Sequence, residues 1–126
     1  MEELKLHLDI KADGRYKFDR AGVRKAVREV LRENRLRGKV NLSVAVVGDR
    51  KMSELRKKHL DEDGTTDVLS FAQDEASEED GLMLGDVVVS YPRAKRQALE
   101  YYKTLDEEIN FLVCHGVLHL LGIHHE

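Results

Sequence analysis

Leu4, Leu6, Leu8 and Ile10 alternate with polar residues, and a period of two over that span predicts a half-buried strand. Asp13-Gly14 supplies turn chemistry. Asp19 then stands where a side chain caps a helix from about Arg20 to Arg35, with Val23, Val27, Val30 and Leu31 forming one apolar stripe. Gly38 ends that unit. Residues 40–47, Val-Asn-Leu-Ser-Val-Ala-Val-Val, predict a second strand, and Gly48-Asp49 leads into a short basic helix near 50–58. After the acidic loop Asp61-Glu62-Asp63-Gly64, Val68-Leu69-Ser70-Phe71 reads as a third strand. Residues 74–80 read as an acidic, solvated connector, and Leu82 to Ser90 as a fourth strand. Ser90 and Pro92 open a helix to about Tyr102. Thr104 and Glu107 have capping-box spacing for a last helix from Leu105 to Leu121. The order strand, helix, strand, helix, strand, strand, helix, helix predicts an α+β fold: a mixed, roughly four-stranded sheet packed by helices.

A chain of 126 residues accommodates one ordinary core, so residues 1–126 are expected to form a single domain. Hydrophobic residues at 41% and charged residues at 36% suit a globular protein and exclude a disordered one. The net charge of −3 gives no whole-molecule basic field, so any nucleic-acid binding needs a local basic patch. No basic n-region and apolar h-region open the chain, and Asn110, His115, Gly116 and His119 interrupt its longest apolar stretch. One cysteine, Cys114, excludes an internal disulfide; it reads as a small hydrophobe rather than a nucleophile. A cytoplasmic protein with no membrane association is expected.

The C-terminus changes the picture most. It reads His115-Gly-Val-Leu-His119-Leu-Leu-Gly122-Ile-His124-His125-Glu126. His115 and His119 are i and i+4, so both imidazoles leave one helix face about 6 Å apart, near the spacing of two cis ligands on zinc. Gly122 follows the last turn, where a left-handed residue reverses the chain and returns His125 to the same ion. His115, His119 and His125 are therefore the expected ligands of one zinc ion per chain, at the C-terminal helix. His124 is a rival third ligand. Three histidines leave a fourth position for water, the arrangement of catalytic zinc.

The skeleton H-x3-H-x2-G-x2-H is shared with the metzincin proteases, whose general-base Glu is here Gly116. A second family fits better. His-Gly-Val-Leu-His-Leu-Leu-Gly-Ile-His-His resembles the H-G-x-L-H-L-x-G-Y-D-H signature of the bacterial YbeY family. Thr66-Asp67-Val68-Leu69-Ser70-Phe71 resembles its second hallmark, T-D-V-L-S-F, and Gly85-Asp86 falls where the family has Gly-Asp before a strand. The resemblance runs from about residue 40 onward. It implies an α+β fold, zinc on His115, His119 and His125, and a single-strand-specific, metal-dependent endoribonuclease. It further implies roles in maturing ribosomal RNA, above all the small-subunit RNA 3′ end, and in ribosome quality control, with single-stranded RNA and ribosomal subunits as partners. The alternatives are a metzincin-like metallopeptidase and a non-catalytic, ribosome-associated metal-binding module.

The chain departs from the family where Ile123-His124 replaces Tyr-Asp. It departs again at Leu60, the ungapped position of an arginine six residues before the Thr of T-D-V-L-S-F. Arg56, Lys57 and Lys58 are the candidates to replace that arginine. Arg50 and Lys51, and Arg93, Lys95, Arg96 and Lys103, form further basic groups for phosphates or for solvated faces. Glu108, seven residues before His115, shares its helix face and reads as a solvated residue.

Overall fold

The structure is a computed structural model that describes residues 2–122. The chain runs β1 (Leu4–Ala12), α1 (Arg20–Glu33), β2 (Gly38–Val47), α2 (Asp49–Leu60), β3 (Val68–Ser77), β4 (Gly81–Ser90), α3 (Tyr91–Glu100) and α4 (Leu105–Leu120). The sheet order is β1-β2-β4-β3. β1 pairs parallel with β2, β2 pairs parallel with β4, and β3 pairs antiparallel with β4. The architecture is the mixed four-stranded α+β sheet that the pattern predicts.

Local chemistry explains where each helix begins. The Gly22 N–H donates to Asp19 Oδ1, and the Arg93 N–H donates to Ser90 Oγ, so side-chain oxygens satisfy first-turn donors. Pro92 in the first turn of α3 has its φ preset for a helix. At α4 the box closes both ways: the Glu107 N–H donates to Thr104 Oγ1 and the Thr104 N–H to Glu107 Oε1.

The sheet buries its two faces unequally. Val40, Leu42 and Val44 alternate along β2 and meet Val23, Val27 and Leu31 of α1 and Ile109, Leu112 and Val113 of α4 in the main core. Ala94 of α3 joins the same core. On the other face α2 covers part of the sheet, with Met52 packed against Leu69 and Val88.

The segment 74–80 departs from its reading as a loop. β3 continues to Ser77, pairing Glu75 with Met83, Ala76 with Leu82 and Ser77 with Gly81 beyond a register shift after Ala72. The acidic composition reflects an edge strand with solvated side chains; it does not prevent backbone pairing.

Candidate functional site

The capping box and the acids Asp106, Glu107 and Glu108 at its positive end start α4 firmly. The helix lays Ile109, Leu112, Val113, Gly116, Val117 and Leu120 against the core. Gly116 permits this approach: a Cβ there would lie 2.6 Å from Val87 Cγ1 and 3.0 Å from Ser70 Oγ. Ser70 Oγ also donates to the Gly116 carbonyl at 3.0 Å. The T-D-V-L-S-F and H-G-V-L-H segments, distant in sequence, thus meet at one contact between β3 and α4.

On the outer side of α4, Phe111, His115 and His119 follow one another at four-residue intervals. His115 is half-buried and His119 exposed. Their ring centroids are 4.5 Å apart, with ring planes inclined at 47°. Two imidazoles from successive turns, at the surface and not inside the core, are a donor pair suited to a borderline divalent ion such as zinc. Gly122 takes φ +77°, the left-handed conformation expected at the helix end, and its N–H donates to the His119 carbonyl at 3.0 Å. Among the described residues, no group of three His, Cys, Asp or Glu side chains gathers around a common point. His124 and His125, the two candidates for the third ligand, lie outside the described residues.

Gly116 also weighs against peptidase chemistry. The position that holds a general base in a metzincin here faces Val87 and Ser70 in the packed interface, where a glutamate has no room. Cys114, next to His115, is a poor nucleophile. Burial, reinforced by the charges of Glu33 and Glu29, pushes its thiol up to about 11, so it stays protonated near neutrality.

Glu108 corrects the sequence reading. It is fully buried, accepting from Gln97 Nε2 at 2.7 Å and from Lys103 Nζ at 2.9 Å. Lys103 Nζ also lies 4.3 Å from the centre of the Phe111 ring, which in turn stacks on His115 at 6.2 Å. Sequence reasoning passed over this chain of contacts. Its signal was a phenylalanine four residues before a histidine on an otherwise polar helix face.

The basic residues divide as well. Arg56 is engaged locally: its guanidinium donates to the carbonyls of Asp63 and Thr65 and pairs with Glu62, holding the loop that precedes Thr66. Lys57 pairs with Asp61 and Asp63. Arg93 reaches the same loop from α3, its Nη2 donating to Thr65 Oγ1 at 3.2 Å. Thr66 and Asp67 open β3, and the Asp67 carbonyl accepts from the Ser90 N–H at 2.8 Å, so this turn fixes backbone. A hollow of about 560 Å³ lies elsewhere, at the ends of β1 and β2 beside the start of α2, and no α4 residue lines it. Its charges are largely neutralised within pairs such as Arg15–Asp13 and Arg50–Glu54. The hollow therefore does not include the imidazole pair. No helix among the described residues is long and apolar enough to cross a membrane.

These features can be set beside known proteins. The chain resembles Endoribonuclease YbeY of Bacillus thuringiensis strain Al Hakam and of Bacillus mycoides strain KBAB4, with 45% identity over 92 residues in each case. Each match covers 67% of this chain and 59% of the relative, so the chain spans 59% of the length of these curated relatives. Its structure is similar to the solution structure of TM1509 from Thermotoga maritima, with a TM-score of 0.61 and 27% sequence identity, covering 95% of this chain and 75% of that one. The family model described as Endoribonuclease YbeY matches residues 10–126, reaching back through α1 and into β1, well before the motifs that first suggested it. With the motifs joined across β3 and α4 and the match running through nearly the whole chain, this protein belongs to the endoribonuclease YbeY family.

Proposed function

We propose that this protein is an endoribonuclease that cuts single-stranded RNA at the outer face of α4, using one zinc ion held by His115, His119 and His125. The observation that carries the reading is the His115–His119 pair, two imidazoles 4.5 Å apart on an exposed helix face of a YbeY-family chain. The histidine spacing and the left-handed turn at Gly122 support His125 as the third ligand, with His124 as its rival. Bound there, zinc supplies positive charge to a phosphate oxygen and lowers the pKa of a coordinated water.

The chain's own residues supply position. The capping box fixes the start of α4, and Gly116 and Ser70 fix its distance from the sheet, so the imidazoles ride on a rigid element. RNA carries its own 2′-hydroxyl nucleophile, so the lack of a carboxylate at Gly116 does not disable it as a substrate. Lys95 and Arg96, exposed on α3, offer charge for phosphates. The same reading extends to ribosomal RNA, above all the small-subunit 3′ end, to ribosome quality control, to ribosomal subunits as partners and to the cytoplasm as the site of action.

The test compares metal-loaded protein, chelated protein and His119→Ala on a labelled single-stranded RNA, with a peptide substrate in parallel. Only the metal-loaded protein should cut RNA, and the peptide should stay intact. RNA cleavage that survives both chelation and mutation overturns the reading. Peptide cleavage lost on chelation replaces it with a metallopeptidase, and absence of both activities with a binding module. Elemental analysis of His124→Ala and His125→Ala separates the two third-ligand candidates, with metal lost only from His125→Ala.

A further inference from the structure

We propose that Phe111 is the platform on which an unpaired base of the RNA stacks beside the His115–His119 pair, making it a determinant of single-strand preference. This rests on the endoribonuclease reading above. Phe111 is 55% exposed, one of the large hydrophobic side chains that the described fold leaves in solvent. Unlike Leu60 or Leu99, it adjoins the imidazoles: its ring stacks on His115 with centroids 6.2 Å apart and planes within 24°. Phe111, His115 and His119 thus form a continuous ring stripe along α4.

A cation also holds the ring. Glu108, fully buried, fixes Lys103 Nζ at 2.9 Å, and that ammonium sits 4.3 Å from the Phe111 ring centre. A cation against an aromatic face restrains the ring and occupies part of it, and the 55% of Phe111 that stays exposed is what a base can meet. Phe111 is therefore both exposed and pre-positioned.

Proteins that hold single-stranded nucleic acid combine such aromatic platforms with nearby cations, because every base offers a π-face whatever its sequence. A base seated on Phe111 places its own sugar-phosphate within one nucleotide's reach of His115. A base in a duplex has both faces occupied by its neighbours and cannot take this seat. The occupant is accordingly an unpaired nucleobase, with little sequence preference.

The test uses metal-loaded protein and a non-cleavable 2′-O-methyl oligonucleotide carrying 2-aminopurine, whose fluorescence is quenched by stacking. Wild type should bind with a change in that fluorescence. Phe111→Ala should bind about tenfold more weakly without the change, and Phe111→Trp should restore both. On cleavable single-stranded RNA, Phe111→Ala should raise KM about tenfold with kcat much less affected, and should narrow the preference over duplex RNA. Metal content and melting temperature should not move. If Phe111→Ala binds and cuts like wild type, the platform is wrong and the endoribonuclease reading stands. If Phe111→Ala loses metal, or Phe111→Leu performs like wild type, the ring supports the histidine or merely fills space, and the platform is again wrong. If wild type neither binds nor cuts RNA, both fall.

Discussion

Glu108 and His119 leave α4 in nearly the same direction, yet one is fully buried and the other exposed. Eleven residues separate them, about three turns of a helix, so they differ by only about 20° around its axis. The difference lies in what stands beside each end of the helix. At the start of α4, Gln97 of α3 and Lys103 of the connecting corner close over Glu108 and satisfy its carboxylate. At the other end, Val117 and Leu120 take the core and His119 is left at the surface. One helix face thus serves as an anchor at its first turn and presents the exposed His119 at its last. A polar residue's role is set less by its own angle than by its neighbours from elsewhere in the chain.

Substitutions that disturb the buried side should damage the fold, whereas those on the outer stripe should remove chemistry and spare stability. The largest effect is expected from Gly116→Glu, which forces a carboxylate against Val87 and Ser70. A loss of more than about 4 kcal/mol, seen as failure to fold or a collapsed urea midpoint, is the outcome. Gly116→Ala, adding the Cβ alone, should cost about 1–3 kcal/mol. Wild-type stability in either variant would show that helix and sheet do not meet as described.

Glu108→Ala comes next. It removes an acceptor of two hydrogen bonds and strands Lys103, which can rehydrate because it is 30% exposed. A cost of about 2–3 kcal/mol in denaturant unfolding is expected. If the variant is as stable as wild type, the anchor half of the comparison collapses.

Thr104→Ala should cost about 1 kcal/mol, since the Glu107 N–H loses its acceptor. Circular dichroism melts would register it. On the outer stripe, His119→Ala should shift the stability of metal-free protein by less than about 0.5 kcal/mol while abolishing metal uptake, and elemental analysis beside a melt separates the two. A large stability loss without metal would make His119 a structural residue.

The smallest effect concerns pH. Hydrogen bonding to Thr104, first from its backbone and then from its side chain, holds the Glu107 carboxyl below its ordinary value. A lowered carboxylate pKa means stabilisation that is present above the ordinary value and lost as pH falls through the folded one. Protection of the amides at the start of α4, corrected for the intrinsic pH dependence of exchange, should therefore fall at acid pH in wild type, and Glu107→Gln should show little of that dependence.

The sequence by itself determined the elements and their ends. Asp19, Ser90 and Thr104 announce their helices because capping is a contact between residues three apart. Val40, Leu42 and Val44 announce a strand because alternation is intrinsic to a pleated backbone. The His115–His119 pairing was legible for the same reason: a helix fixes the relation of i to i+4 whatever surrounds it.

Only the tertiary structure decided what required a partner from afar. Residues 75–77 became strand because β4 offered a neighbour, against their acidic composition. Arg56 turned inward because the Asp63 and Thr65 carbonyls came within its reach. Glu108 was buried because α3 folded over it, and Phe111 stands beside His115 with Lys103 against its ring because that same corner closed. Short-range geometry can be read from spacing alone, but burial and charge pairing depend on which distant segment arrives, and a one-dimensional pattern carries no record of that arrival.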